Sequence, residues 1–331
     1  MKALIAFAES DPIGTKAFRS IVQDTSSAFP ELVRELEGLA EGSGAALDSI
    51  WVANLIAELD PLLPPSQSSA SNQGHCTDIY AHADANPEYP IHGHNEDWSV
   101  DAKEFWYYVS LTPDPDSEQE ADFSACAGLT YPGSMLAYAP AWNAHGIYQT
   151  QNTLFPNNTR SDGGLACSFV QRAALCSEST TSLDAYLAKL HTGGWASGAS
   201  LNVVDLGTGE MANAEVLLDA FDVVKVKSTG NYSHTNEFKH LVEGILVDLG
   251  EDSATHRQAR LDELPPPESL QDIADRLGDT SDTELPLYRD TTLTSSLLDV
   301  ASGALQIWDG RNPKEGDPDF VWNIKEWFGS T

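Results

Sequence analysis

A polar, aperiodic run, Pro64-Pro65-Ser66-Gln67-Ser68-Ser69-Ala70-Ser71-Asn72-Gln73-Gly74, divides the chain into two parts that read differently. Such a run carries no hydrophobic period and stops any helix that enters it, so the segment before it must close there. That segment is helical in pattern. After Pro30, residues Leu32, Val33, Leu36 and Leu39 recur at helical spacing up to Gly42-Ser43-Gly44, and Leu47, Ile50, Trp51 and Leu55 make a second stripe closed by Pro61.

Beyond the run, short β-type segments dominate, at 106–111, 134–139, 146–150, 201–206 and 221–226. Two more, 292–300 and 304–308, flank Ala301-Ser302-Gly303 as a hairpin. Leu183, Tyr186, Leu187 and Leu190 predict a helix with Ser182 as N-cap and Gly193-Gly194 past its end, and 165–176 predicts the helix before it. Residues 249–287 are acidic, with helical pieces near 253–263 and 268–277. Hairpins plus paired helices predict an α+β fold, antiparallel sheets covered by helices in αββα layers.

Charge narrows the functions. Fifty Asp and Glu against 18 Lys and Arg give a net charge of −32, a surface that repels phosphate backbones and anionic lipid. Nucleic acid and membrane are therefore not expected partners, and no apolar stretch approaches the roughly 20 residues of a bilayer span. The apolar start ends at Glu9, short of a signal-peptide core, and points to a cytoplasmic protein. Four cysteines without a CxxC pair argue against a disulfide scaffold, and Cys126, Cys167 and Cys176 sit in Ala- and Gly-rich apolar surroundings that read as packing.

The densest chemistry is Gly74-His75-Cys76-Thr77-Asp78 followed by His92-Gly93-His94-Asn95-Glu96-Asp97. A Cys right after a small-residue linker, at the head of a strand, is oddly placed for packing. His75, Cys76, His92, His94 and Asp97 are zinc-type donors, but none has finger or helical spacing, and His92 and His94 supply only two ligands from one strand face. The preferred reading makes Cys76 a nucleophile with no metal and no cofactor; a Cys/His metal-binding or scaffold protein is the alternative.

Several motifs then agree in order. Glu35-Leu36-Glu37-Gly38-Leu39-Ala40-Glu41-Gly42, Cys76-Thr77, Gly93-His94-Asn95-Glu96-Asp97, Asn143-Ala144-His145-Gly146, Ser233-His234-Thr235-Asn236 and Arg289-Asp290-Thr291-Thr292-Leu293 together resemble the acyl-coenzyme A:isopenicillin N acyltransferase family of N-terminal-nucleophile hydrolases, including its relatives that hydrolyse β-alanyl amides. The resemblance implies a precursor that cuts itself between His75 and Cys76, leaving residues 1–75 as a small α chain bound to a catalytic β chain, 76–331, within one structural domain. Cys76 would then be nucleophile, with its freed α-amine as base; Asp97 would orient that amine and Asn236 would bind the oxyanion. Thr77, Asn95, Glu96 and Arg289 would bind substrate or support the site. His75 departs from the Gly of better-known members. The implied reaction is hydrolysis of a small amide through a thioester, with acyl transfer as the alternative.

Overall fold

The computed structural model describes residues 1–64, 76–82, 90–114, 122–154, 156–227, 230–241 and 252–329. Of the predicted linker 64–74, all but Pro64 lies outside the described residues, as does His75. Four helices, α1 (Lys2–Ser10), α2 (Pro12–Ala28), α3 (Pro30–Ser43) and α4 (Leu47–Asn54), and the single turn α5 (Ile56–Leu59) come first. The Asp11 carboxylate caps α2 by accepting from Ile13 N and Gly14 N at 2.8 and 3.1 Å, with Pro12 at its first position. α3 ends on Gly44 at φ +72°, where a side chain would be strained.

The strands follow: β1 (Thr77–His82), β2 (Pro90–Asp97), β3 (Tyr107–Leu111), β4 (Cys126–Thr130), β5 (Ala141–Asn143) and β6 (Ile147–Thr153). After α6 (Cys167–Leu175) and α7 (Leu183–Leu190) come β7 (Gly198–Asp205), β8 (Met211–Leu217), β9 (Ala220–Val226) and β10 (Tyr232–His234). The chain closes with α8 (Asp252–Glu263), α9 (Leu270–Leu277), β11 (Thr292–Asp299), β12 (Ala304–Asp309) and β13 (Phe320–Asn323). They form two antiparallel sheets, ordered β10-β1-β2-β11-β12-β13 and β3-β4-β5-β6-β7-β8-β9.

The layers follow from which face each strand buries. Tyr80, Trp142, Tyr148, Val204, Leu298 and Ile307 fill the space between the sheets. Tyr186 and Leu190 of α7 pack with Val203 and Val216 on the outer face of the larger sheet. Ile273 and Leu277 of α9 pack with Ile79, Ile91 and Leu297 on the outer face of the smaller one. The result is αββα, as the sequence predicted. α9 reaches β2 closely because Gly93 has no side chain: a Cβ there would lie 2.3 Å from Ile273 Cγ2. The N-terminal helices join α6 in a separate cluster, where Trp51 stacks on Phe169 at 4.9 Å, a pairing worth about 0.5–1.5 kcal/mol beyond area burial.

Two expectations fail. Residues 134–139 form no strand, because their backbone bonds go elsewhere: Met135 N donates to Asn54 Oδ1, Ser134 O accepts from Thr130 Oγ1, and Ala137 O accepts from Gln149 Nε2. Nor are Cys126 and Cys176 mere packing. They form a disulfide, Cα–Cα 5.5 Å, tying β4 to the end of α6. Fifty residues of sequence separate them, and only the tertiary fold brings such a pair together. Cys76 and Cys167 remain free and buried. Among the described residues, no helix is long and apolar enough to cross a membrane.

Candidate active site

Strand register assembles the site. β1 pairs with β2 at Thr77↔Asn95 and with β10 at Asp78↔His234. Continuing each ladder by one or two residues sets Glu96 on one side of Cys76 and Asn236 on the other. The two-residue period of β2 then sorts its motif. His92, His94 and Glu96 face the other sheet, whereas Gly93, Asn95 and Asp97 face α8 and α9.

The inward face carries a buried chain of charge. Asp78 lies opposite His94 and takes its Nδ1 at 2.9 Å; His92 Nε2 lies 2.9 Å away as well. Thr150 Oγ1 and Asn152 Nδ2 also donate to Asp78. Burial opposes the Asp78 anion, but the two histidines overcome it and hold the carboxyl well below its usual range. Burial likewise opposes charge on His94, and there Asp78 wins, raising the ring well above its ordinary value. The other nitrogen, His94 Nε2, bonds Glu96 Oε2 at 2.9 Å, while Tyr131 OH donates to Glu96 Oε1 at 2.6 Å. Cys76 Sγ is 3.9 Å from Glu96 Oε2. Burial first, and the Glu96 charge second, push the Cys76 thiol up to about 12. A thiol in this state needs a base before it can attack a carbonyl.

The outward face supplies two arginines. Asp97 Oδ2 accepts from Arg289 Nη2 at 3.1 Å, and Arg289 Nη1 donates to Ser253 Oγ at 2.7 Å. Asp97 is fully buried, and its other oxygen, Oδ1, has no hydrogen-bond partner among the described residues. Arg257, also fully buried, donates from Nη1 to Cys76 O and Thr77 Oγ1 at 2.8 and 2.7 Å, and from Nη2 to Asn236 Oδ1 at 2.8 Å. Asn236 Nδ2 donates to Thr153 O at 2.9 Å.

Cys76, Glu96 and Asp97 open onto a cavity of about 540 Å³, a size suited to a small ligand. Leu4, Ala53, Ile56 and Leu63 of the N-terminal segment form an apolar wall, and Asp60 and Asp101 add two further carboxylates. No Lys or Arg is among the described residues that line it.

The structure thus gathers Cys76, Thr77, Glu96, Asp97, Asn236 and Arg289 around one point. Asn95 stands apart. Its Nδ2 donates to the carbonyls of Leu277 and Leu287 and its Oδ1 accepts from Ser295, so it tethers α9 and the segment after it rather than facing the cavity. Sequence reasoning missed Asp78, Tyr131 and, above all, Arg257, which lies in the acidic stretch 249–287 that reads only as helical pieces. A signal was present. Ala254, Arg257, Gln258 and Leu261 follow the core period of α8, which puts a cation at an apolar-face position.

The sequence and the fold were compared with known proteins. The profile of the family described as "Acyl-coenzyme A:6-aminopenicillanic acid acyl-transferase" matches residues 85–312. The beta-alanyl-dopamine/carcinine hydrolase of Drosophila melanogaster is 24% identical over 328 residues, spanning 93% of this chain and 83% of that protein. A Caenorhabditis elegans ortholog of N-acylethanolamine-hydrolyzing acid amidase superposes with a TM-score of 0.48 and 14% identity, over 75% of this chain and all of that one. A mutant conjugated bile acid hydrolase from Clostridium perfringens gives 0.43 and 11%, over 76% and 93%. Because that family profile matches more than half of its length, this chain belongs to the acyl-coenzyme A:6-aminopenicillanic acid acyl-transferase family.

Proposed function

We propose that the chain is a self-processing amidohydrolase in which Cys76, freed at its amino end, attacks a small cationic amide. One observation carries the reading: Asp97 Oδ1 is buried, with no hydrogen-bond partner among the described residues, on the wall of the cavity that also holds Cys76. An orphaned carboxylate oxygen is costly unless something charged or polar meets it. A new Cys76 α-ammonium is such a group.

In maturation, Sγ attacks the His75 carbonyl carbon and the peptide bond shifts from nitrogen to sulfur. Water then cleaves the thioester, leaving residues 1–75 as a carboxylate and Cys76 with a free amine. That amine has an ordinary pKa near 8, so near neutral pH a useful fraction can take the thiol proton that Cys76 does not release alone. Asp97, fixed by Arg289, orients it. In turnover, Sγ attacks the substrate carbonyl and the developing oxyanion is met by Asn236, which Arg257 holds opposite Cys76. The amine leaves with the proton, and water hydrolyses the acyl thioester. Arg257, Thr77 and Glu96 position the nucleophile; Arg289 positions Asp97. The wall built by Leu4, Ala53 and Ile56 gives the small chain a reason to stay bound after cleavage.

The carboxylates around the cavity favour a cationic substrate, of which a β-alanyl conjugate of an aromatic amine is an example, and disfavour a polyanionic acyl donor. Release of free amine from a β-alanyl amide, measured against an amide of the same amine with a neutral acyl group, tests this. The expected result is faster turnover of the cationic substrate and none by Cys76→Ala. Equal turnover of both substrates contradicts the charge argument, and turnover by Cys76→Ala contradicts the nucleophile.

A further inference from the structure

The cluster beside the nucleophile has a second chemistry, which goes beyond the proposed reaction. Cys76 Sγ, a ring nitrogen of His94 and a carboxylate oxygen of Glu96 all lie within 4.8 Å of one another, and all three residues are buried. From the geometry we propose that Cys76, His94 and Glu96 form a Zn²⁺-binding site that reversibly blocks the nucleophile.

The donor set is thiolate, imidazole and carboxylate, a combination that suits zinc and not the oxygen-seeking calcium or magnesium. Tetrahedral zinc with ordinary bond lengths separates such donor atoms by about 3.4–3.6 Å. Here Glu96 Oε2 is 3.9 Å from Sγ and 2.9 Å from His94 Nε2, so shifts of about 1 Å or less bring the three onto one ion.

The surroundings already do what a metal site needs. Asp78 accepts His94 Nδ1–H at 2.9 Å, which fixes the ring with Nε2 turned to the cluster. Tyr131 OH holds Glu96 Oε1 at 2.6 Å and leaves Oε2 for the ion. Such outer partners orient first ligands and tune affinity. Cys76 and Glu96 open onto the cavity, which gives the ion an entry path and a fourth position for water. The three residues come from β1's entry and from alternate positions of β2, so neither finger nor helical spacing announces them. Asp97, counted among the zinc donors in the sequence, borders the same cavity but is not a member of this three-residue cluster.

The test is cobalt titration of the metal-stripped, purified full-length protein. Co²⁺ should produce a sulfur-to-cobalt charge-transfer band that saturates at one ion per chain, and Zn²⁺ should erase it. Cys76→Ala should remove the band. Asp78→Asn should weaken binding about 10- to 100-fold, the usual effect of losing an outer partner. Tyr131→Phe, the milder change, should weaken it less while keeping the far-ultraviolet circular dichroism of the wild type. Zn²⁺ should also protect Cys76 from iodoacetamide, with EDTA restoring alkylation. Absence of a sulfur band, or zinc affinity unchanged in Cys76→Ala, overturns the site. Because the band is read without turnover, a protein that binds cobalt but never cleaves itself keeps the metal site and loses the proposed function; the reverse result does the opposite.

Discussion

Replacing Arg257 by Met tests whether this buried cation holds the nucleophile. The guanidinium is fully buried and donates to Cys76 O, Thr77 Oγ1 and Asn236 Oδ1, and from Nε to Ser253 Oγ at 3.2 Å. Met fills a similar volume but removes the donor from the acceptors on Cys76, Thr77 and Asn236, whereas Ser253 Oγ keeps Arg289 Nη1. Each unsatisfied group costs about 1–3 kcal/mol. The desolvation cost of the arginine is recovered at the same time, and effects within one network do not add. The net loss is about 3–5 kcal/mol, the range seen when one member of a buried charged network is removed. Against a total stability of about 5–15 kcal/mol the variant still folds at low temperature. Urea unfolding reads the stability, and the rate of appearance of the two fragments reads the positioning. Arg257→Lys should recover only part of both, since an ammonium cannot span Cys76, Thr77 and Asn236 as the planar fork does. A Met variant that loses less than about 1 kcal/mol and is cleaved at the wild-type rate would refute the reasoning.

Further outcomes follow from the same structure. Removing the Cys126–Cys176 disulfide by double Ala substitution should cost about 4 kcal/mol on the loop-entropy relation for a loop of about 50 residues; urea unfolding of oxidised protein checks it, and a loss below about 1 kcal/mol rejects it. The Asp78–His94 pair has a signed pH dependence. Asp78 is held below its ordinary 3.8, so its contribution is lost as pH falls through the folded value. His94 is raised above its ordinary 6.5, so its contribution is lost as pH rises through its own. The stability difference between wild type and Asp78→Asn should therefore be greatest from about pH 4 to 6.5 and shrink on both sides; a difference that is flat from pH 3 to 9 contradicts the pairing.

Much of the scaffold was legible because local rules and the fold agree. Ser182 caps α7, Ala301-Ser302-Gly303 turns between β11 and β12 with Asp299 opposite Ala304, and the alternation of His92 and His94 puts both on one face. β4 escaped notice because it is buried on both faces, so Cys126 to Thr130 shows no alternation to read. The nucleophile stood out by its position after a helix-breaking run. Its neighbours did not. Asp78 touches His94 across a ladder, Tyr131 reaches Glu96 from the far side of the sandwich, and Arg257 arrives from a helix 181 residues along the chain. Contacts of that kind depend on register and packing, which a single sequence does not display. The disulfide was misread for the same reason.

The most direct test of the central claim is the intact mass of the purified protein under denaturing conditions, beside Cys76→Ala. No cysteine precedes Cys76, so no disulfide can hold the two chains together in this measurement. Scaling 35.8 kDa by 75/331 and 256/331 gives fragments of roughly 8 and 28 kDa. The account predicts both fragments in the wild type, with Cys76 as the new amino terminus, and a single 35.8 kDa species in the variant. One full-length species in both proteins, or the same fragments in both, contradicts it.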